Sequence, residues 1–308
     1  MPEKTQCPLP VPDVVSDAES GLLRERTWRD TTFFIVLRQF SRNRTALVGL
    51  ILILTLVLLG LLAPLVAPYH YATIDPINAN KGPSAAHWFG TDNLGRDIFS
   101  RIMYGGRYSL SLGVLSVCVS LFFGVILGSV SGFFGGWVDN LIMRILDVIQ
   151  AIPTILIAII MSSILGSGFL PTIVALAVPS ISGFARVLRA QFLKVSQNEF
   201  VEAAVSLSVS KVKIMLRHIL PNAWAPLIVS ATMGVANSVL NASSLSFIGL
   251  GIPKNIPEWG AMLSSSRDFM RDFPHMVIIP GLFICITVLA LNIVGDGVRD
   301  ALDPKLKD

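Results

Sequence analysis

The amides and hydroxyls inside the apolar parts of this sequence are the residues best suited to contact a polar solute. Asn237, Asn241 and Ser244 are separated by four and three residues, so they share one face of a helix. A polar stripe of this kind can line a pathway through an apolar environment. Hydroxyl and other small side chains also allow close packing between membrane helices. The triplet is therefore a candidate lining of a pathway, with helix packing as the alternative.

Groups for catalysis are not evident. The sequence has no Gly-x-x-x-x-Gly-Lys phosphate loop, no His-Glu-x-x-His pair and no Gly-x-Ser-x-Gly elbow. The interiors of its apolar stretches contain Ser, Thr, Asn and Gln but no acid or base, whereas an intramembrane protease or a proton relay needs ionisable groups at that depth. We therefore expect no catalytic, cofactor or metal site in this chain.

The segment 189–221 has the character of two short helices rather than of a linker. Ser196 and Glu199 match a Ser-x-x-Glu capping box, which predicts that a helix begins there. A second amphipathic helix is predicted over 211–220 and is expected to be interrupted at Pro221. Nothing apolar in the chain is left to cover these helices, so they lie on a membrane surface or bind a soluble partner.

The composition indicates which elements position these residues. Of the 308 residues, 53% are hydrophobic and 14% are charged, whereas a soluble domain averages about 25% charged residues. Five uncharged runs are each long enough to cross the hydrocarbon core, which takes roughly 20 helical residues. These runs are 45–74, 108–138, 148–185, 218–253 and 273–295. They predict an all-α integral membrane protein.

The run 148–185 is too long for one span. Its 38 residues would form a helix of about 57 Å, against a core of about 30 Å. Gly166, Gly168 and Pro171 in its middle favour a break between two helices. The run 218–253 has no such cluster inside it and is predicted as one span. About six transmembrane helices follow, near 46–67, 108–131, 149–165, 171–188, 226–250 and 274–294.

Six spans place both termini on one side. That side would carry 17 Lys and Arg residues against 7 on the other, so the positive-inside rule predicts cytoplasmic termini. The net charge of +4 then follows from this orientation and from attraction to membrane lipid, and no nucleic acid partner is expected. The predicted organisation is a disordered cytoplasmic tail over 1–27, a cytoplasmic or interfacial segment over 28–45, and a transmembrane domain over 46–308 with an outer loop over 68–107.

Two groups of charged residues near the ends of spans have simple structural explanations. Arg144 and Asp147 are three residues apart and are predicted to form an interfacial ion pair. The outer loop carries charged residues at 92, 96, 97 and 101. They could form a surface for an external receptor or serve turns and helix caps, and the sequence leaves both readings open.

The motif Glu202-Ala203-Ala204, followed by Leu220-Pro221, resembles the cytoplasmic signature of permease subunits of bacterial binding-protein-dependent ABC importers. Ser208 replaces the Gly of that signature and His218 replaces its Ile. Further motifs, from about residue 36 to the C-terminus, are similar to the second-type permease of dipeptide, oligopeptide and nickel importers. They are Phe89-Gly90-Thr91-Asp92 with Gly95-Arg96-Asp97, Gly135-Gly136-Trp137-Val138-Asp139, Ser246-Phe247-Ile248-Gly249-Leu250-Gly251, Pro257-Glu258-Trp259-Gly260 and the segment 295–304.

This resemblance implies a type I ABC importer permease fold in the bacterial inner membrane. It implies a permease subunit of an ATP-driven importer, with di- or oligopeptides as the expected substrate. The implied partners are a homologous second permease, two ATPase subunits that bind ATP and Mg, and an extracytoplasmic substrate-binding protein. Segment 189–221 would be the cytoplasmic coupling loop and 68–107 a periplasmic loop. The implied ATPase-coupling residues are Glu202, Ala203, Ala204, Ser208, Leu220 and Pro221.

Two other classes of function remain as alternatives, a secondary carrier or channel and a membrane enzyme. A carrier would favour inverted repeats or a buried acid, and neither is evident.

The replacement at Ser208 allows two local structures. The Gly of the family signature predicts a turn, with positive φ as one form of it. We favour the turn, and a regular helix through Ser208 is the alternative.

Overall fold

The computed structural model describes residues 32–302, and these residues form a bundle of long helices. No β-strand occurs within that range. The helices are α1 (Thr32–Arg42), α2 (Arg44–Leu61), α3 (Ala63–Val66), α4 (Ile98–Phe134), α5 (Gly136–Gln150), α6 (Thr154–Leu165), α7 (Phe169–Val195), α8 (Glu199–Ser206), α9 (Lys211–Lys213), α10 (Leu220–Ile248), α11 (Trp259–Ser266) and α12 (His275–Leu302). The tail over 1–27 lies outside the described residues, and α1 occupies most of the segment over 28–45.

Five helical stretches are long and apolar enough to cross a membrane: α2, α4, α7, the stretch from α9 through α10, and α12. A sixth span results if α5 and α6 are counted together, although they are bent by 87° relative to each other. The prediction of an all-α membrane protein with about six spans is confirmed, with five continuous spans and one bent pair of helices as the sixth.

The predicted break in the run 148–185 is confirmed. Helix α6 ends at Leu165, and α7 begins at Phe169. Gly166 between them has φ +82°, a left-handed conformation that glycine adopts without steric cost. Pro171 lies in the first turn of α7, where the missing N–H costs no helical hydrogen bond.

The predicted span 149–165 is wrong as a single straight helix. Helix α5 ends at Gln150, and α6 begins only at Thr154, after Pro153. Proline disfavours helical geometry in the residue before it and cannot donate within a helix, which explains the break. With 12 residues, α6 extends only about 18 Å, less than the core thickness of about 30 Å.

The second span begins ten residues before the predicted 108. Asp97 caps α4, and its carboxylate accepts hydrogen bonds from the backbone N–H and the hydroxyl of Ser100, both at 2.7 Å. The uncharged run shows where the apolar part of the helix begins. The helix itself begins earlier, because its first residue is set by the cap at Asp97. Arg101 and Arg107 therefore lie on α4 rather than in a loop.

The centre of the bundle is the packing of α4 against α7. Gly124, Gly128 and Gly132 of α4 face α7 so closely that a Cβ at each would lie 2.5–2.6 Å from an atom of α7. Glycines at a spacing of four allow the two backbones to approach each other. Helices α2, α10 and α12 pack around this pair.

Candidate coupling loop and pathway face

Helix α8 is the element that positions the Glu202-Ala203-Ala204 motif. Its Val201 and Ala204 are buried, with 5% and 6% of their surface exposed. They join an apolar cluster with Phe192 of α7 and Ile214 of the following segment. One face of α8 is therefore anchored to the transmembrane helices.

The opposite face of α8 is open. Glu202 and Ala203 are both exposed, and so is Phe200. Among residues 32–302, no Lys, Arg or His nitrogen lies within ion-pair distance of the Glu202 carboxylate. The motif thus divides into a buried Ala204 that holds the helix and an exposed Glu202 and Ala203 that are free to contact another protein.

The capping box predicted at Ser196 and Glu199 is wrong. Helix α7 continues to Val195, and the Ser196 hydroxyl donates to the Leu193 carbonyl at 2.9 Å instead of capping the next helix. The residue that precedes α8 is Asn198, which makes no side-chain capping bond. The buried Val195 explains the difference, because packing extends α7 to the point where the sequence pattern predicts a new start.

The turn predicted at Ser208 is confirmed, and its φ is +57°. The Ser208 N–H donates to the Val205 carbonyl at 2.9 Å, and the Val209 N–H donates to the Ala204 carbonyl at 3.1 Å. This pair of bonds is the Schellman motif, which usually has glycine at the left-handed position. Val209 also packs against the apolar cluster that contains Ala204.

The interruption predicted at Pro221 is wrong. A π-helical segment, Ile214–Ile219, leads directly into α10, and the whole stretch from Lys211 to Ile248 is one helical span. Within it, the Leu220 N–H donates to the Met215 carbonyl, five residues back. The Asn222 side-chain amide donates to the His218 carbonyl at 2.6 Å. The wider turn of the π-helical segment lets the helix continue past Pro221, which has no N–H to donate.

The ion pair predicted between Arg144 and Asp147 is wrong. Asp147 of α5 instead pairs with Arg186 of α7, at 2.6 Å. A second pair joins the same two helices, because Asp139 accepts from Nε and Nη2 of Arg189, both at 2.5 Å, and also from the Ser131 hydroxyl. This bidentate pair is not predictable from the sequence, although Asp139 lies in the Gly135–Asp139 motif, because Arg189 is 50 residues away.

The charged residues at 92, 96, 97 and 101 are buried and serve turns and caps. Asp92 Oδ2 accepts from Arg96 Nε at 2.6 Å, and Asp97 caps α4. Arg101 donates to the Tyr71 carbonyl at 3.2 Å and to the Lys254 carbonyl at 3.3 Å. These four side chains are buried and bonded within the protein, so they do not form a surface for a receptor.

Glu258, in the motif Pro257-Glu258-Trp259-Gly260, is fully buried and caps α11. Its carboxylate accepts from the N–H groups of Gly260 and Ala261 at 2.9 and 2.7 Å and from the Ser109 hydroxyl at 3.2 Å. Burial raises the pKa of Glu258 above its usual value, and these donors oppose that rise. The motif marks Glu258 in the sequence, but its burial and its cap of α11 are not predicted from the sequence.

The candidate pathway residues lie on one face of α10. Asn237 is exposed, and Asn241 and Ser244 are partly exposed. Within residues 32–302, neither Asn side chain makes a hydrogen bond, whereas the Ser244 hydroxyl donates to the Leu240 carbonyl at 2.9 Å. The lining of a pathway by these three residues stays a prediction.

The described residues contain no group of three His, Cys, Asp or Glu side chains that could hold a metal ion.

Comparison with protein families adds the decisive observation. Residues 124–308 match the family described as binding-protein-dependent transport system inner membrane component, and residues 31–83 match the N-terminal transmembrane domain of oligopeptide transport permease C. The chain belongs to the family of binding-protein-dependent transport system inner membrane components. A permease of this kind is a multi-pass inner membrane protein that works in a complex with other subunits.

Two curated relatives cover nearly the whole permease. A dipeptide transport system permease protein of Alkalihalophilus pseudofirmus is 44% identical over 280 residues, which span 91% of this chain and 90% of the relative. A glutathione transport system permease protein of Pectobacterium atrosepticum is 45% identical over 273 residues, which span 88% of this chain and 90% of the relative.

Solved structures agree on the fold. The permease is similar to a structure of the MetNI methionine ABC transporter in an inward-facing conformation, with a TM-score of 0.55 over 66% of this chain and 96% of that one. The sequence identity is 18%, so this likeness shows the type I importer permease fold and no more.

Proposed function

We propose that this permease forms half of the translocation pathway of an ATP-driven importer for di- or oligopeptides. The observation that carries the proposal is the division of the Glu202-Ala203-Ala204 motif on α8. Its buried residues fix the helix to α7 and α10, while its exposed carboxylate is presented without an ion-pair partner among residues 32–302. Movement of a subunit docked on α8 would therefore be transmitted to the transmembrane helices.

The complex would contain a homologous second permease, two ATPase subunits beneath α8, and a substrate-binding protein on the outer side. ATP and Mg would be bound by the ATPase subunits, since this chain has no phosphate-binding loop. In this arrangement both termini are cytoplasmic, as the distribution of Lys and Arg favours. The coupling residues would be Glu202, Ala203, Ala204, Ser208, Leu220 and Pro221.

The peptide substrate is supported by the two relatives, which are permeases for dipeptide transport and glutathione transport. Both solutes are short peptides with free carboxylate and ammonium groups. Asn237, Asn241 and Ser244 would offer them uncharged hydrogen-bonding groups along α10. The alternative function is a secondary carrier or channel, which would need neither α8 nor an ATPase.

The test is transport by the purified complex in liposomes. We expect the chain to co-purify with a second permease and with ATPase subunits, and the liposomes to take up a labelled dipeptide only when ATP and the substrate-binding protein are present. Uptake of a nickel chelate but not of dipeptide or glutathione would contradict the peptide assignment. Uptake by this chain alone, driven by an ion gradient, would instead support a carrier.

A further inference from the structure

A groove of about 610 Å³ opens between α2 and α4, on the surface of the bundle. Its apolar lining includes Val57 and Leu61 of α2 and Leu110, Val114 and Leu115 of α4. Four of these five side chains are between 37% and 63% exposed, so the protein itself does not cover the groove. Its volume lies within the range of roughly 300–1,000 Å³ typical of small-molecule sites.

Small residues lie where the two helices that border the groove meet. Helices α2 and α4 meet at Gly60 and Gly106, where a Cβ on Gly60 would lie 3.4 Å from the backbone nitrogen of Arg107. Because neither glycine has a side chain, the two helices approach each other closely at this point. The uncharged run 108–138 starts immediately after Arg107, so the groove lies along the apolar part of α4.

Arg107 closes one end of the groove. Its Nε donates to the Gly60 carbonyl at 2.5 Å, and its Nη2 donates to the Leu61 carbonyl at 2.7 Å. A guanidinium carries five N–H donors, so these bonds leave three unused. No carboxylate among residues 32–302 lies within ion-pair distance of Arg107.

Aromatic residues surround the same position. The Arg107 guanidinium lies 5.6 Å from the centre of the Tyr104 ring, and Tyr104 in turn contacts Tyr71 and His70. Tyrosine is enriched at the level of lipid headgroups. We therefore expect Arg107 to lie near the boundary between the headgroups and the hydrocarbon, with its free donors beside the apolar groove.

We infer that this groove is a binding site for an anionic phospholipid, with an acyl chain lying against Leu61, Val114 and Leu115 and the headgroup phosphate at Arg107. Each part of the site matches one part of that ligand. The apolar walls suit a hydrocarbon chain, and a guanidinium with unused N–H groups suits a phosphate oxygen pair. The absence of a carboxylate partner in the described part of the chain leaves the positive charge for the lipid to neutralise.

The experiment uses the complete importer complex in nanodiscs with equal amounts of phosphatidylglycerol and phosphatidylcholine. A photoreactive benzoylphenylalanine replaces Leu115 in the groove, or Ile278 on α12 as a matched control that is 61% exposed outside it. After irradiation, mass spectrometry identifies what is attached to the chain. We expect lipid adducts at 115 with phosphatidylglycerol favoured about fivefold over phosphatidylcholine, and a ratio near one at 278.

The Arg107→Gln variant should lower the ratio at 115 to that of the control, while Arg107→Lys should retain most of the preference because it keeps the charge. If Arg107→Gln fails to assemble, the Lys variant and the difference between positions 115 and 278 still decide. Adducts at 115 to another protein subunit would overturn the inference, because the groove would then be an interface. Equal lipid ratios at 115 and 278 in the unsubstituted complex would also overturn it.

Discussion

The backbone N–H of Val209 donates to the carbonyl of Ala204 at 3.1 Å, across a Ser208 whose φ is +57°. A side chain in this left-handed conformation costs roughly 1–2 kcal/mol, which glycine avoids. Ser208→Gly should therefore stabilise the folded chain by about 1 kcal/mol. Ser208→Val should destabilise it, because a β-branched residue tolerates positive φ worst. Thermal unfolding of the purified variants measures both effects.

Ser206 is the matched control for this prediction, since it is an exposed serine at the end of α8 and does not have a positive φ. There the order should reverse: Ser206→Gly should cost about 0.5–1 kcal/mol, and Ser206→Val only a few tenths. A Ser208→Val variant more stable than Ser208→Gly would contradict the left-handed turn.

The bidentate pair between Asp139 and Arg189 predicts a measurable contribution to the packing of α5 on α7. About a third of the Arg189 side chain is exposed, so solvent screening reduces the value of the pair. We expect Arg189→Gln to lower the free energy of unfolding by about 1 kcal/mol. Arg186→Gln is the control, because its pair with Asp147 is more exposed and should contribute at most a few tenths. Equal losses for the two variants would show that the bidentate geometry adds nothing.

Local signals in the sequence predicted local structure well. The break between α6 and α7 was predictable because Gly166, Gly168 and Pro171 act on their own backbone. The turn at Ser208 was predictable for the same reason, although its glycine is replaced. The family signature then located the exposed Glu202, which neither hydropathy nor charge would have singled out.

Structure that depends on distant residues was not predictable. Asp147 pairs with Arg186 rather than with Arg144 because α7 packs beside α5. The three-residue spacing of Arg144 and Asp147 does not reveal that packing. Packing of Val195 also extends α7 as far as the predicted capping box, so that Ser196 ends α7 instead of starting the next helix. The buried carboxylate of Glu258 accepts a hydrogen bond from Ser109, which is 149 residues away in the sequence.

Glu258 predicts a dependence of stability on pH. Burial raises the pKa of its carboxyl in the folded chain above the value of about 4.3 expected when unfolded. The folded state then binds more protons than the unfolded state between these two values, so the free energy of unfolding should fall as pH rises through that window. Below the unfolded pKa the contribution is fully present. Thermal unfolding at several pH values above 4 measures this slope.

Glu258→Gln removes the titrating group but keeps an oxygen that can accept from the α11 amides. The difference in unfolding free energy between the natural chain and this variant should therefore change with pH, in favour of the natural chain at low pH. A difference that stays constant from pH 4 to pH 8 would show that Glu258 does not titrate in this range.

The polar face of α10 predicts access from water. Cysteine placed at Asn237 or Asn241 in the complete importer, with Cys7, Cys118 and Cys285 replaced by serine, should react with a membrane-impermeant thiol reagent. Cysteine at Ile278, an exposed apolar position on α12, should not react because it would face lipid. ATP binding should change the rate at Asn241 if access to the pathway alternates. Equal protection at all three positions would instead favour a role in helix packing.

We propose that the exposed carboxylate of Glu202 couples this permease to ATP hydrolysis. The most direct measurement is substrate-stimulated ATPase activity and dipeptide uptake by the reconstituted complex with Glu202→Ala. Asp268→Asn is a matched control, because it removes an exposed carboxylate between α11 and α12. Glu202→Ala should leave the chain folded and inserted, since an exposed helical Glu costs little to replace, and should lower uptake and stimulated hydrolysis at least about tenfold if the lost contact exceeds 1.4 kcal/mol. Natural rates of both uptake and stimulated hydrolysis in the Glu202→Ala complex would show that Glu202 has no role in coupling.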